Sequence, residues 1–200
     1  MCFHMQQTQS AKELQHRFKA SFAKVDKYKA AIYNGFQFGE VPIITNENPG
    51  TIQLFHWGLI PSWAKDNSIR KNTLNARIET IAEKPAFKNS ISNRCLVLID
   101  GFYEWQWLDE KGKQKKRYLI HQPQHEAFAL AGLWNNWVDK ESGELQHTFT
   151  VLTTEANELM SKIHNTKKRM PIIVSKDNET NWLQGMTLID GNNSLEAIET

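Results

Sequence analysis

The most informative stretch of the sequence is RCLVLIDGFYEWQW, residues 94–107. Residues 95–99 are apolar at every position, which is typical of a central strand buried on both faces. A turn at 109–113 and a second strand-like stretch at 117–121 follow, and this order is typical of an antiparallel hairpin. The pattern therefore predicts one strand over 94–107 that turns back on 117–121.

Two more hairpins and several helices are predicted around this centre. One hairpin joins strands at 41–45 and 51–57 through a turn rich in Asn, Pro and Gly, and the other joins 128–138 to 146–153. Apolar residues at helical spacing predict helices at 10–22, 74–84, 154–164 and 178–185. The prediction is one domain over residues 1–200 of the α+β class, built on antiparallel β hairpins curled towards a barrel, with peripheral helices.

Composition excludes several classes of protein. The formal net charge of +2 is too small for a polybasic coat protein, although it allows a local basic groove. The apolar runs are too short to cross a bilayer. The two cysteines form neither a disulfide framework nor a zinc pattern, so no metal and no cofactor is predicted. We expect a cytoplasmic protein (nucleoid-associated if bacterial) and a monomer.

Cys2 is the first candidate for chemistry. Removal of Met1 would leave an N-terminal residue with both an amine and a thiol. An α-amine has a pKa of about 7.7–8.0, so roughly a tenth or more of it is neutral at pH 7. The neutral amine can attack an aldehyde to give an imine, and the thiol can then close a thiazolidine ring. The alternative is that a cysteine stands at position 2 by chance.

Glu104 and His164 are candidates for proton transfer. Glu104 follows the predicted buried strand and stands between Tyr103 and Trp105, and a partly desolvated carboxyl suits general acid–base work. Alternatively, it pairs with a lysine at the end of a strand. His164 ends a predicted helix, where it either compensates the helix dipole or points into a cleft.

Other side chains are candidates for DNA contacts. Asn75 and Arg77 would share one face only if their segment is extended. The forked donors of Arg77 suit a phosphate. Trp63 lies in a loop punctuated by Gly and Pro, where tryptophan either covers the core or stacks on a base. A basic cluster at 111–117 is interpreted as a solvated hairpin tip.

Together these segments resemble the SRAP (SOS-response-associated peptidase) family, which is known for covalent capture of abasic sites. The resemblance covers nearly the whole chain through discontinuous motifs, whose number and order are highly specific. They are Met1-Cys2, WGLIPSW at 57–63, NARIET at 75–80, RC at 94–95 with GFYEW at 101–105, AGLW at 131–134, and His164 with RMP at 169–171.

The resemblance implies a function and assigns the site. The expected function is a DNA-damage response protein that senses abasic sites in single-stranded DNA. It would form a thiazolidine crosslink through Cys2 after proteolytic or autoproteolytic removal of Met1, as an enzyme with autopeptidase and lyase-like chemistry. By this likeness the catalytic residues are Cys2, Asn75, Glu104 and His164, and the DNA-binding residues are Arg77, Trp63, Trp105 and Arg169.

The chain departs from the family pattern at two places. Phe3 and His4 stand where Gly and Arg are usual, which removes a flexible residue and a permanent cation. The segment between His164 and Arg169 is longer than the usual His-x-Arg. Two other functions remain open: an N-terminal-nucleophile cysteine hydrolase, which needs an oxyanion hole and no DNA groove, and a non-enzymatic single-stranded DNA binding module, which predicts affinity without a covalent band.

Overall fold

The computed structural model describes residues 2–186 and 194–200. Within them the chain forms three α-helices, α1 (Ala11–Phe18), α2 (Glu158–Ile163) and α3 (Glu179–Leu183). Its strands are β1 (His4–Gln7), β2 (Ser21–Phe22), β3 (Ala31–Asn34), β4 (Glu40–Thr45), β5 (Thr51–Trp57), β6 (Asn75–Arg77), β7 (Arg94–Ile99), β8 (Gly101–Trp107), β9 (Lys115–His121), β10 (Phe128–Val138), β11 (Leu145–Glu155), β12 (Arg169–Pro171), β13 (Ile173–Val174) and β14 (Glu196–Glu199).

The larger sheet contains a closed barrel of five strands. The strands β11, β10, β7, β4 and β5 pair in that order. The ring closes because β5 also pairs with β11, in parallel, with Phe149 opposite Trp57. Closure removes the free sheet edges that would otherwise be open to pairing with another chain. The predicted class, antiparallel hairpins curled towards a barrel with helices at the margin, is confirmed.

The smaller sheet carries the N-terminal segment. Its strand order is β14-β9-β8-β1-β3, so β1 lies between β8 and β3. Its pairing with β8 sets His4 opposite Tyr103. Its pairing with β3 sets the same residue opposite Asn34. Backbone hydrogen bonds on both sides therefore fix the position of the residues that precede β1.

Most of the core lies in two large apolar clusters on the two faces of the barrel strands, and a third, small cluster contains Ile60, Ala64 and Trp137. Side chains alternate along a strand, so β7 supplies Val97 to one cluster and Leu96 to the other. The first cluster includes Cys2 and Met5 from the N-terminal segment. The second is covered by α1, whose Leu14 is fully buried. Ser10 and Glu13 form a capping box at the start of α1.

The structure corrects two predicted elements. Residues 74–84 are not a helix: 75–77 form β6, which pairs in parallel with β11, and turns follow. Residues 94–107 are not one strand, because the chain leaves the barrel at Asp100 and enters the smaller sheet. The Asp100 carboxylate accepts hydrogen bonds from the Thr8 backbone N–H at 2.8 Å and from the Thr8 hydroxyl. These bonds fix the change of direction between β7 and β8.

All three α-helices are shorter than predicted. The α1 helix ends at Phe18 and not at residue 22, and Ser21–Phe22 form β2 instead. The α2 helix begins at Glu158 and not at residue 154, and Asn157 caps it by accepting a hydrogen bond from the Met160 N–H. The α3 helix ends at Leu183. In the part of the chain that the structure describes, no helix is long and apolar enough to cross a membrane.

Candidate active site

Four separate segments meet close to the start of β1. Cys2 lies two residues before β1, Glu104 lies on β8, Asn75 begins β6, and His164 caps the C-terminus of α2. Because β1 pairs with both β8 and β3, these pairings hold the segment that carries Cys2 close to Glu104. The structure thus brings together the four side chains that the sequence analysis assigned to catalysis.

Cys2 is fully buried at this meeting point. Burial raises the pKa of its thiol well above the ordinary value, and the nearby Glu104 carboxylate raises it further. Its Sγ points towards the His4 carbonyl oxygen at 3.7 Å, a weak contact. The thiol is therefore protonated at neutral pH while it lies in this closed environment.

Asn75 binds the backbone of Cys2. Its Nδ2 donates a hydrogen bond of 2.7 Å to the Cys2 carbonyl oxygen. Since that carbonyl can only accept, the amide orientation is fixed, with Oδ1 facing the other way. Oδ1 is buried and has no hydrogen-bond partner among the described residues. An acceptor is thus left over beside the N-terminal segment.

The extended conformation of β6 decides a question that the sequence left open. Side chains two apart in a strand point to the same face, so Asn75 and Arg77 share one. Asn75 is half-buried, whereas Arg77 is exposed. The guanidinium of Arg77 is therefore accessible to solvent on the side of the sheet where Asn75 binds Cys2.

Glu104 is the carboxylate of the site. It is only 6% exposed, and its Oε1 accepts a hydrogen bond of 3.2 Å from the Trp105 N–H. Its charge acts on Cys2, and on two histidines, His4 and His164. A buried carboxyl thus lies close enough to a thiol and two imidazoles to influence their protonation, and such a group of side chains suits acid–base chemistry.

Backbone groups hold both the main chain and the ring of His164. Its backbone N–H donates a hydrogen bond of 2.7 Å to the Met160 carbonyl at the C-terminal end of α2. Its Nδ1 lies 2.7 Å from the Arg169 carbonyl oxygen and 3.2 Å from the Arg169 N–H. A single ring nitrogen cannot donate to the carbonyl and accept from the N–H at once. We assign the proton to Nδ1 because its contact with the carbonyl oxygen is the shorter one, and in this tautomer Nε2 carries the lone pair. Burial lowers the pKa of His164, and the Glu104 charge partly opposes this.

Arg169 is bound within the protein. Its guanidinium donates to both carboxylate oxygens of Glu79 at 2.9 Å and to the Thr153 carbonyl at 2.8 Å. The side chain is only 9% exposed. These bonds also lower the pKa of Glu79. Arg169, which the family resemblance counts among the DNA-binding residues, thus links β12 to β11 and to the residue that follows β6 by two positions. Its backbone carbonyl lies against His164 Nδ1.

The two tryptophans occupy different places. Trp105 is half-buried and meets the His4 ring edge-on, with centroids 5.0 Å apart, so it lies beside Glu104. Trp63 is 51% exposed on the loop after β5, and its Nε1 donates to the Pro85 carbonyl at 3.2 Å. The described lining of the cleft beside Glu104 includes Trp105 and not Trp63.

His4 is a neighbour that the sequence analysis did not place in the site. Its Nδ1 is buried without a hydrogen-bond partner among the described residues. Burial and the charge of Arg117 lower its pKa, and Glu104 opposes them. No signal in the sequence indicated this placement, because His4 reaches Glu104 through the pairing of β1 with β8, which lie far apart in the chain. Over the described ranges, no group of three or more His, Cys, Asp or Glu residues is arranged to hold a metal ion.

Known proteins with similar sequences carry one common description. The chain is 43% identical over 142 residues to the abasic site processing protein YoqW of Bacillus subtilis, which covers 70% of this chain and 61% of that protein. It is 34% identical over 144 residues to the abasic site processing protein HMCES of Gallus gallus, over 60% of this chain and 41% of that protein. The chain thus spans about three fifths of the length of YoqW and less of HMCES.

Solved structures and a family model match over nearly the whole length. A crystal structure of a Bacteroides thetaiotaomicron protein has a TM-score of 0.88 at 34% identity, over 99% of this chain and 91% of that one. One from Bordetella bronchiseptica has a TM-score of 0.80 at 21% identity, over 100% and 99%, and supports the fold alone. The family model described as SOS response associated peptidase (SRAP) matches residues 1–198. The chain therefore belongs to the SRAP family.

Proposed function

We propose that this protein processes abasic sites in single-stranded DNA, as part of a DNA-damage response, by bonding covalently to the lesion through Cys2. The observation that carries the proposal is the meeting of Cys2, Asn75, Glu104 and His164 in one buried cluster from four segments of the chain. The names of the relatives, abasic site processing proteins, supply the substrate class.

The reaction begins with removal of Met1 by hydrolysis of the Met1–Cys2 peptide bond, by the chain itself or by an aminopeptidase. The neutral Cys2 amine then adds to the aldehyde carbon of the opened sugar, and loss of water gives an imine. The thiol adds to the imine carbon, its proton passes to the nitrogen, and a five-membered thiazolidine closes. One aldehyde and one aminothiol thus give one ring and one water.

Asn75 is the positioning residue for the nucleophile. Its Nδ2 holds the Cys2 carbonyl at 2.7 Å, and its buried Oδ1 lacks a partner among the described residues. An unmade hydrogen bond at a buried acceptor destabilises a protein by about 1–3 kcal/mol. We assign this acceptor to an N–H of the Cys2 amine once Met1 has been removed, which would aim the nitrogen lone pair at the aldehyde.

Glu104 and His164 are assigned to proton transfer. An abasic sugar is mostly a closed ring, and its aldehyde forms when the ring oxygen gains a proton and the hydroxyl on the same carbon loses one. Glu104 is assigned the first transfer because it is buried beside Cys2. His164 is assigned the second because the contact between its Nδ1 and the Arg169 carbonyl leaves Nε2 as the base.

DNA binding is assigned to the exposed side of the same region. Arg77 would pair with a backbone phosphate, and Trp105 would stack on a base beside the lesion. Trp63, which lies outside the cleft beside Glu104, would stack on a base farther along the strand. Arg169 is left out of this set because Glu79 and Thr153 already occupy its guanidinium.

The test is incubation with a single-stranded oligonucleotide that carries one abasic site, followed by a denaturing gel and intact mass. The expected product is a heat-stable band whose mass equals the Met1-free protein plus the oligonucleotide minus one water. An oligonucleotide with a tetrahydrofuran in place of the abasic sugar, which has no aldehyde, should give no band. Met1-free protein that forms no adduct with the aldehyde would refute the proposal.

A further inference from the structure

A cleft of about 280 Å³ opens directly beside the candidate active site. Its lining is mostly aromatic and contains one flexible cation, and comprises Phe3, His4, Phe36, Glu104, Trp105 and Lys115. Only Glu104 and Trp105 of this set have a part in the chemistry or binding assigned above. The cleft therefore has more aromatic surface than the crosslinking step itself explains.

Phe3 and Phe36 form one wall of the cleft. Their ring centroids are 5.1 Å apart and the ring planes are inclined by 32°. Phe36 is 53% exposed, so one face of the pair meets solvent. An exposed aromatic pair next to a reactive centre is typical of a surface on which a flat ligand stacks.

Three local contacts hold this pair in place. The Gly35 N–H donates to the Phe3 carbonyl at 2.9 Å, and Asn34 Oδ1 accepts from the Phe36 N–H at 3.0 Å. Gly35 packs so closely on the core that an added Cβ would lie 3.1 Å from Leu74. The wall is therefore preorganised, which reduces the entropy lost when a ligand binds.

Another part of the lining supplies Trp105 and a positive charge. Lys115 lies across from Trp107 in the β8–β9 pairing, and its Nζ is 4.7 Å from the centre of that ring. Lys115 is exposed, so its ammonium group can reach an anion at the mouth of the cleft. An aromatic wall, a second aromatic ring and a cation together match a nucleotide better than an uncharged apolar ligand.

We infer that this cleft binds the nucleotide next to the abasic site, with its base on the Phe3–Phe36 pair and its phosphate at Lys115. This inference rests on the proposed function, since it takes single-stranded DNA as the ligand. A purine has more stacking surface than a pyrimidine, so the protein prefers a purine at that position. Phe36 is then a specificity-determining residue for the sequence beside the lesion.

The experiment measures binding without crosslinking. Oligonucleotides carry a tetrahydrofuran, with adenine, cytosine or a second tetrahydrofuran on its 5′ or its 3′ side, and dissociation constants are measured by fluorescence anisotropy. Wild type should bind tightest with adenine on one of the two sides. Phe36→Leu keeps an apolar side chain but removes the ring, and should weaken that binding about 5- to 100-fold and abolish the preference for adenine.

Three further variants test the assignment of each wall. Phe36→Tyr keeps an aromatic ring and should bind with the affinity and the adenine preference of wild type. Lys115→Gln should reduce the slope of log K against log salt by about 0.7 and leave the preference for adenine unchanged. Val138→Ala, at an exposed apolar side chain on β10 outside the cleft, should behave as wild type.

The outcomes separate the two proposals. Wild type that fails to crosslink an oligonucleotide with a natural abasic site refutes the proposed function. Wild type that crosslinks but binds adenine, cytosine and tetrahydrofuran neighbours equally on both sides overturns the inference about the cleft. So does a folded Phe36→Leu protein, checked by circular dichroism, that keeps the wild-type preference.

Discussion

The two cysteines of the chain have nearly the same burial but very different surroundings. Both are fully buried, and burial raises the pKa of both thiols well above the ordinary value. Cys95 lies in β7, where a Cβ at Gly132 would come within 2.8 Å of its Sγ. Cys2 lies among Asn75, Glu104 and His164. Burial and thiol acidity therefore do not distinguish the two cysteines, and the proposal that Cys2 is the nucleophile rests on its neighbouring groups.

The largest expected effect comes from replacing Cys2. Cys2→Ala should abolish the heat-stable crosslink, because the thiazolidine ring cannot close without the thiol. Cys2→Ser keeps the amine and should give an imine that borohydride traps but that otherwise reverses. The crosslink is followed on a denaturing gel after heating, with and without borohydride.

Cys95→Ala is the matched control for this change. It should crosslink at the wild-type rate and lower the free energy of unfolding by about 1 kcal/mol, because it removes a buried sulfur from the core. Urea denaturation measures the second quantity. A Cys2→Ala protein whose crosslink is as durable as that of wild type would exclude the thiazolidine mechanism.

The second effect concerns the carboxyl that lies by Cys2. Glu104→Gln preserves the size and most hydrogen bonds of the side chain but removes the transferable proton. We expect crosslinking to slow by about 10²-fold, the usual scale for a general acid, while affinity for undamaged single strands changes by less than about tenfold. Rates are measured by quenched gel assays from pH 5 to pH 8.

Glu110→Gln, on the exposed tip between β8 and β9, is the control for Glu104 and should react as wild type. If Glu104→Gln reacts at the wild-type rate over the whole pH range, Glu104 is structural and His164 becomes the preferred acid.

The sequence predicted the barrel strands well because their information is local. Strands β4, β5 and β10 match their predicted bounds within one residue, since apolar stretches and the turns between them define them. The segment 74–84 was predicted wrongly because Leu74, Ile78 and Ile81 have helical spacing. Parallel pairing with β11, far along the chain, overrides this local pattern.

The candidate site residues could be proposed from the sequence, but their meeting in space could not be predicted from it. The meeting of Cys2 with Glu104 depends on β1 pairing with β8, about a hundred residues away, and spacing alone does not encode that contact. The family resemblance supplied the assignments instead. It did not anticipate that Glu79 binds Arg169 across 90 residues, because a motif does not show which of its charges pair with one another.

A smaller effect, on the pH dependence of stability, tests His164, the histidine in the candidate site around Cys2. Burial lowers the pKa of His164 below its unfolded value of about 6.5, so the folded state favours the neutral ring. The stability from this difference is present above pH 6.5 and is lost as the pH falls, by less than about 1.4 kcal/mol per pH unit. His164→Gln should therefore lose less unfolding free energy than wild type between pH 7.5 and pH 5.5.

Urea denaturation at the two pH values measures this difference. His16→Gln, at an exposed position on α1, is the control and should follow wild type. A His164→Gln protein with the same loss as wild type would show that the burial of His164 has no energetic effect.

The smallest expected effect separates the two arginines near Cys2. Arg77 is exposed and shares a face with Asn75, whereas the guanidinium of Arg169 is bound to Glu79 and Thr153. With about two to four phosphate contacts, the slope of log K against log salt for single strands should be about −1.4 to −2.8. Arg77→Ala should make this slope about 0.7 less steep without changing the free energy of unfolding.

Arg169→Ala should instead lower the free energy of unfolding, because it leaves Glu79 and the Thr153 carbonyl without their partner. Lys140→Ala, in the turn between β10 and β11, should change neither quantity. Anisotropy titrations at several salt concentrations measure the slope, and an unchanged slope in Arg77→Ala would show that Arg77 does not contact phosphate.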